Sequence, residues 1–148
     1  MGVMKKRYKS SKSIAKLVYS VLLQEDDTHR FKEHAWAVGL SPNWKVLYVE
    51  LVSLGTLDMC ITMPRDVFRQ AITFAGAYII IVHNHPTDSS GPSNADKVLT
   101  KKMVRAGEIL GIPLVDHIII GNDGSYFSFY ENGLIDKYQT KGKARGTE

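Results

Sequence analysis

The chain has 148 residues, 44% of them apolar and 23% charged, with a formal net charge of +4. That length suits one domain with a real core, and the composition excludes a disordered or fibrous chain. A single cysteine, Cys60, excludes a disulfide framework and a cysteine-rich zinc site, and it fits a reducing, cytoplasmic setting.

No apolar run approaches the length of a membrane span. The basic start, residues 1–12, is not followed by a signal-type apolar region, because the segment 14–23 carries Lys16 and is amphipathic. Much of the positive charge sits in two tails: Lys5, Lys6, Arg7, Lys9 and Lys12 at one end, and Lys137, Lys141, Lys143 and Arg145 at the other. Such tails can neutralise nucleic-acid phosphates, and they are also common as solvated ends. Residues 1–12 and 139–148 are therefore expected to be flexible and basic, flanking one domain over 13–138.

Apolar positions Ile14, Leu17, Val18, Val21 and Leu22 predict a helix over 13–23, with Ser13 as its N-cap. The polar stretch 24–32 is a connection. Residues 33–40 and 45–51 alternate, and Ser41, Pro42 and Asn43 between them signal a turn, so an antiparallel hairpin is expected. Gly55 and Thr56 break the second strand, and residues 60–62 form a short edge piece that can pair with a second chain, making a dimer one expectation.

Pro64 suits the first turn of the next helix, whose apolar stripe Val67, Phe68, Ala71, Ile72 and Ala75 is closed by Gly76. The run Ala77 to Val82 reads as a buried central strand. A third amphipathic helix runs from Asn94 to Gly111 on Val98, Leu99, Met103, Ala106, Ile109 and Leu110. A strand over 114–120, a tight turn at 121–124, a strand over 126–130 and a short end piece over 133–138 complete the chain. This order predicts an α/β layered domain: a mixed central sheet with flanking helices.

The chemistry gathers where the central strand ends. His83 and His85 are two apart, so in extended backbone both imidazoles face one side. Pro86 stops the strand, a turn-rich stretch follows, and Ser93 precedes Asp96 by three residues at a helix start. Two imidazoles and one carboxylate on separate rigid elements, with a position left for water, make a catalytic zinc arrangement. Ser93 and Asp96 also fit a helix cap, and His83 and His85 also fit strand-end histidines bonded to backbone. Capping and metal ligation are compatible.

The spacing His83-Asn84-His85-Pro86, then Ser93-x-x-Asp96, resembles the signature of the JAMM (JAB/MPN-type) metalloproteases, and within that superfamily it is most similar to the RadC group. The flanking segments agree: Glu33 to Trp36, Val52 to Thr56, Pro64 to Phe68 and Asp116 to Gly121. The resemblance covers roughly residues 13–135. It implies a JAB/MPN-like layered architecture of the cytidine-deaminase-like kind. It implies His83, His85 and Asp96 as zinc ligands, Ser93 as the serine that helps hold the transition-state oxygen, and Glu33 as the general base. The activity implied is zinc-dependent hydrolysis of an amide bond in a peptide or protein, peptide or isopeptide, by metal-activated water. An alternative from the same resemblance is a DNA-repair-associated accessory factor that contacts nucleic acid through the basic tails, its metal site structural or inactive.

Several residues have rival readings. Glu50, in the adjacent strand, competes with Glu33 as the base. His117 is read as a hydrogen-bonded structural histidine rather than a support for the ligands. Asp88 is a solvated loop acid before it is a stray ligand, and Cys60 is given no redox role. The loop 86–92 departs from the usual Pro-Ser-Gly of RadC proteins, and the chain has room for only one short helix where those proteins carry a helix-hairpin-helix region. A nucleoside-deaminase reading fails for want of a Pro-Cys-x-x-Cys motif.

Overall fold

The computed structural model describes residues 7–55, 62–87 and 89–140. The expectations for Cys60, for the edge piece around it and for Asp88 fall outside the described residues, as do most of the tail cations. In chain order the elements are α1 (Ser11–Leu22), α2 (Asp27–Arg30), β1 (Glu33–Leu40), β2 (Val46–Gly55), α3 (Pro64–Thr73), β3 (Tyr78–His85), α4 (Asn94–Leu110), β4 (Leu114–Gly121), β5 (Tyr126–Ser128) and α5 (Leu134–Tyr138). The strands form one five-stranded sheet in the order β2-β1-β3-β4-β5. Only the β3–β4 pair is parallel, with α4 as its crossover, so the sheet is mixed.

Period-two alternation assigns the residues of β3 to two cores. Ile79 and Ile81 point into a cluster with Val67, Phe68, Leu99 and Met103 from α3 and α4. Ile80 and Val82 point the other way, against Ile14, Val18 and Leu22 of α1. The result is an α/β/α sandwich. Strand β1 is buried on both faces, because β2 and β3 flank it and both layers reach it. Its expected hairpin partner is β2, and at Gly39 the Tyr48 ring lies against the place where a Cβ would stand.

The ends of several elements differ from expectation for local reasons. The α1 cap is Ser10, whose hydroxyl accepts the Ser13 N–H, so Ser13 is the reciprocal partner at N3 rather than the N-cap. The hairpin tip places Trp44 at φ 65 and stacks its ring on Tyr78 at 4.0 Å. Helix α3 stops at Thr73, and Ala75 rather than Gly76 takes the left-handed conformation, at φ 52. Strand β5 ends at Ser128, since Phe129 and Tyr130 already turn toward α5.

Gly107 shows how tightly α4 lies on the sheet. A Cβ there would meet the Ile112 carbonyl oxygen at 2.5 Å and the Leu114 nitrogen at 3.0 Å, both backbone atoms. At an exposed helical site glycine-to-alanine gains about 1 kcal/mol from helix propensity. Here Gly107→Ala is expected to lose about 1–3 kcal/mol, because the helix must lift from β4. Chemical denaturation reads the sign directly, and a stabilised variant would contradict the close approach.

Candidate metal centre

His83 and His85 continue the side of β3 that carries Ile79 and Ile81, so both rings leave the sheet toward α4. Asn84 points the other way. Its Oδ1 accepts the His34 N–H at 2.6 Å and its Nδ2 donates to the Lys32 carbonyl at 3.1 Å. The main chain on both sides of Glu33 is thereby clamped to β3. Ala35 pairs with His83 in the ladder, and Glu33, two residues earlier on β1, is near enough for its charge to act on His85.

Helix α4 begins with a reciprocal cap. The Ser93 hydroxyl accepts the Asp96 N–H at 3.1 Å, and the Asp96 carboxylate accepts the Ser93 N–H at 2.8 Å. This cap turns a 2% exposed carboxylate inward, toward the two histidines. The His83 and His85 Nε2 atoms are 3.1 Å apart. Asp96 Oδ1 lies 3.2 Å from His83 Nε2, and Oδ2 lies 3.3 Å from His85 Nε2. Donors arranged tetrahedrally around an ion at about 2.0–2.1 Å are separated by about 3.3–3.4 Å. The three closest approaches, two of them to different oxygens of Asp96, lie near that spacing, and the nitrogen–oxygen donor set is one zinc accepts. The three side chains form a group that can hold a metal ion.

The electrostatics agree. Burial alone would raise the Asp96 carboxyl, but the adjoining imidazoles outweigh it and hold the group well below the usual carboxylate range. Asp96 in turn lifts the pKa of His85, with burial opposing and the Glu33 charge adding to the lift.

Support for the ligands comes from Ser89 and Thr100, which the sequence reading did not single out, and from His117, which it read as structural. His85 Nδ1 lies 3.0 Å from the Ser89 carbonyl oxygen. His83 Nδ1 lies 2.7 Å from Nε2 of His117, on β4. His117 is fully buried, stacks on Phe129, and continues to Thr100 Oγ1 at 2.6 Å. Burial, with His83 adding to it, pushes the His117 pKa well down, so the ring is neutral. His117 is thus hydrogen-bonded and buried as expected, but it also touches a candidate ligand, which the structural reading did not include. The rival base Glu50 is placed elsewhere: it lies across from Ala37 and 3.9 Å from Arg69 of α3. Its charge, added to burial, pushes Tyr48 up to about 12.

A mixed five-stranded sheet between helices, with two histidines at a strand end and an acid at the following helix start, is a JAB/MPN-like fold. A sequence model of the RadC-like JAB domain matches residues 8–134, and the chain belongs to that family. It is 44% identical over 115 residues to a UPF0758 protein of Caldanaerobacter subterraneus, covering 78% of this chain and 49% of that protein. It is 46% identical over 104 residues to one from Clostridioides difficile, covering 70% and 44%. A relative in Methanosarcina mazei is 37% identical over 131 residues, covering 88% and 55%. The chain spans about half the length of these curated relatives. Among the described residues, no helix is long and apolar enough to cross a membrane.

Proposed function

We propose that this chain is a zinc-dependent hydrolase that cleaves an amide bond, peptide or isopeptide, with His83, His85 and Asp96 as the metal ligands. One observation carries the reading: two imidazoles and one carboxylate offer donor atoms within 4.8 Å of one another, and the Glu33 charge acts on the same cluster through His85. When bound, zinc supplies Lewis acidity that makes water nucleophilic near neutral pH and polarises the scissile carbonyl. Glu33 takes the proton from the attacking water and delivers it to the leaving nitrogen, so that the C–O bond forms, the C–N bond breaks and the amine departs neutral. The Ser93 oxygen is occupied by the Asp96 N–H, which leaves its hydroxyl proton as a donor to the developing oxyanion at the positive end of α4.

Glu33→Gln keeps the shape and removes the base. It is expected to lower turnover by about 10²–10⁴-fold while zinc binding survives. The assay is cleavage of a peptide and isopeptide library by zinc-loaded protein, followed on the best substrate. Equal turnover by Glu33→Gln would remove Glu33 from the mechanism, and a zinc-loaded wild type that cleaves nothing in the library would remove the hydrolase reading.

A further inference from the structure

We infer that His117 and Thr100 are positioning residues that set the tautomer and ring orientation of His83, through a hydrogen-bonded chain that returns to the third ligand, Asp96. The inference rests on the metal-site reading above. Its direction follows from donor counting. A ligating His83 presents a lone pair at Nε2, so its proton is on Nδ1. That N–H points at His117 Nε2, 2.7 Å away, which must then accept. The His117 proton is therefore on Nδ1, 2.6 Å from Thr100 Oγ1. Thr100 has one hydroxyl proton, and with its oxygen accepting from His117 that proton goes to the Asp96 carbonyl at 2.7 Å. Each donor in the chain has one acceptor, and none is left over.

The chain closes a loop among the three elements of the site. It leaves β3 at His83, crosses to β4 at His117, passes to α4 at Thr100 and ends on the main chain of Asp96. His117 and Thr100 are both fully buried, so water cannot replace either partner. The His117 ring is held flat on Phe129, with centroids 4.8 Å apart and planes within 8°. Reversing every proton in the chain would place one on His83 Nε2, where the metal must sit. Neither His117 nor Thr100 reaches the three-ligand centre itself, so they act only through His83 and Asp96.

The test is the zinc dissociation constant by chelator competition for the wild type, Thr100→Val, Thr100→Ser and His117→Phe, with nitrogen NMR of the histidine rings in the zinc-loaded wild type. Thr100→Val keeps the shape and removes the hydroxyl; it is expected to weaken zinc binding about ten-fold, and His117→Phe about 10–100-fold. Thr100→Ser restores the hydroxyl and the affinity. The spectra show His83 and His117 protonated on Nδ1. If His117→Phe does not fold, the valine–serine pair decides alone. Undiminished zinc affinity in Thr100→Val overturns the inference and leaves the metal site standing; His83 protonated on Nε2 overturns the inference together with the place of His83 among the ligands. A wild type that binds no zinc overturns both.

Discussion

His83→Ala will abolish tight zinc binding and, with it, the stabilisation that zinc confers. The wild type is expected to hold one zinc per chain, because one donor atom from each of three side chains lies within 4.8 Å of the others. The substitution leaves two ligands and detaches His117 from the site. Zinc that binds only the folded state at a hundred times its dissociation constant adds about 2.7 kcal/mol to stability. For a domain of this size that raises the melting temperature by about 5–10 °C. Mass spectrometry of metal content and thermal melts with and without zinc report the two halves of the prediction. A wild type whose melt ignores zinc would show that the cluster is a hydrogen-bonded relic. A zinc-dependent melt in His83→Ala equal to that of the wild type would place the metal elsewhere.

Asp116→Ala will be the most damaging single change away from the metal centre, while Asp116→Asn will be mild. Asp116 is fully buried at the start of β4, and its two oxygens do different work. Oδ1 accepts the backbone N–H groups of His117 at 2.8 Å and Tyr130 at 2.9 Å. Oδ2 accepts the hydroxyls of Ser11 at 2.6 Å and Ser128 at 2.7 Å. One side chain therefore joins the start of α1, the end of β5 and the strand that carries His117. Alanine strands four donors and costs about 3 kcal/mol or more. Asparagine can keep its oxygen on the two backbone donors, which cannot turn, and give its amide to the two hydroxyls, which can turn to accept.

The same residue has a pH signature. Burial pushes the Asp116 carboxyl above its ordinary 3.8, and the four donors pull it down without cancelling that effect. A carboxyl raised in the folded state binds protons more tightly there than when unfolded. Its contribution is most favourable below the unfolded value, declines as pH rises through the folded value, and is constant above it. The gap in unfolding free energy between wild type and Asp116→Asn should shift in the wild type's favour as pH falls through that window. Asp96 titrates alike in both proteins, so it drops out of the difference. A gap independent of pH would show that the four hydrogen bonds fully offset burial.

The site was more legible in the sequence than its surroundings were. His83, His85, Ser93 and Asp96 lie within one strand-loop-helix unit, where period-two alternation and a capping pattern determine direction. His117 and Glu33 depend on which strands pair and in what register, and local patterning carries neither. In α4 the apolar residues themselves misled: Val98 is 66% exposed and Ile109 86% exposed. The buried stripe is Leu99, Met103, Val104 and Gly107, with Asp96 and Thr100 among them. Polar residues stand in that stripe because the site requires them, so a purely apolar template could not align to it. The burial of β1 was hidden for a related reason, since a strand paired on both sides loses its alternation only once its neighbours are known.

The division between near and distant residues has a kinetic consequence. All three ligands belong to one continuous segment, and β4 with His117 comes from the far side of the α4 crossover. An ion held there would be gripped by a His83 ring whose partner is fixed between Thr100 and Phe129. Loosening that partner is expected to shorten an ion's residence, read as a faster release of zinc to a chelator.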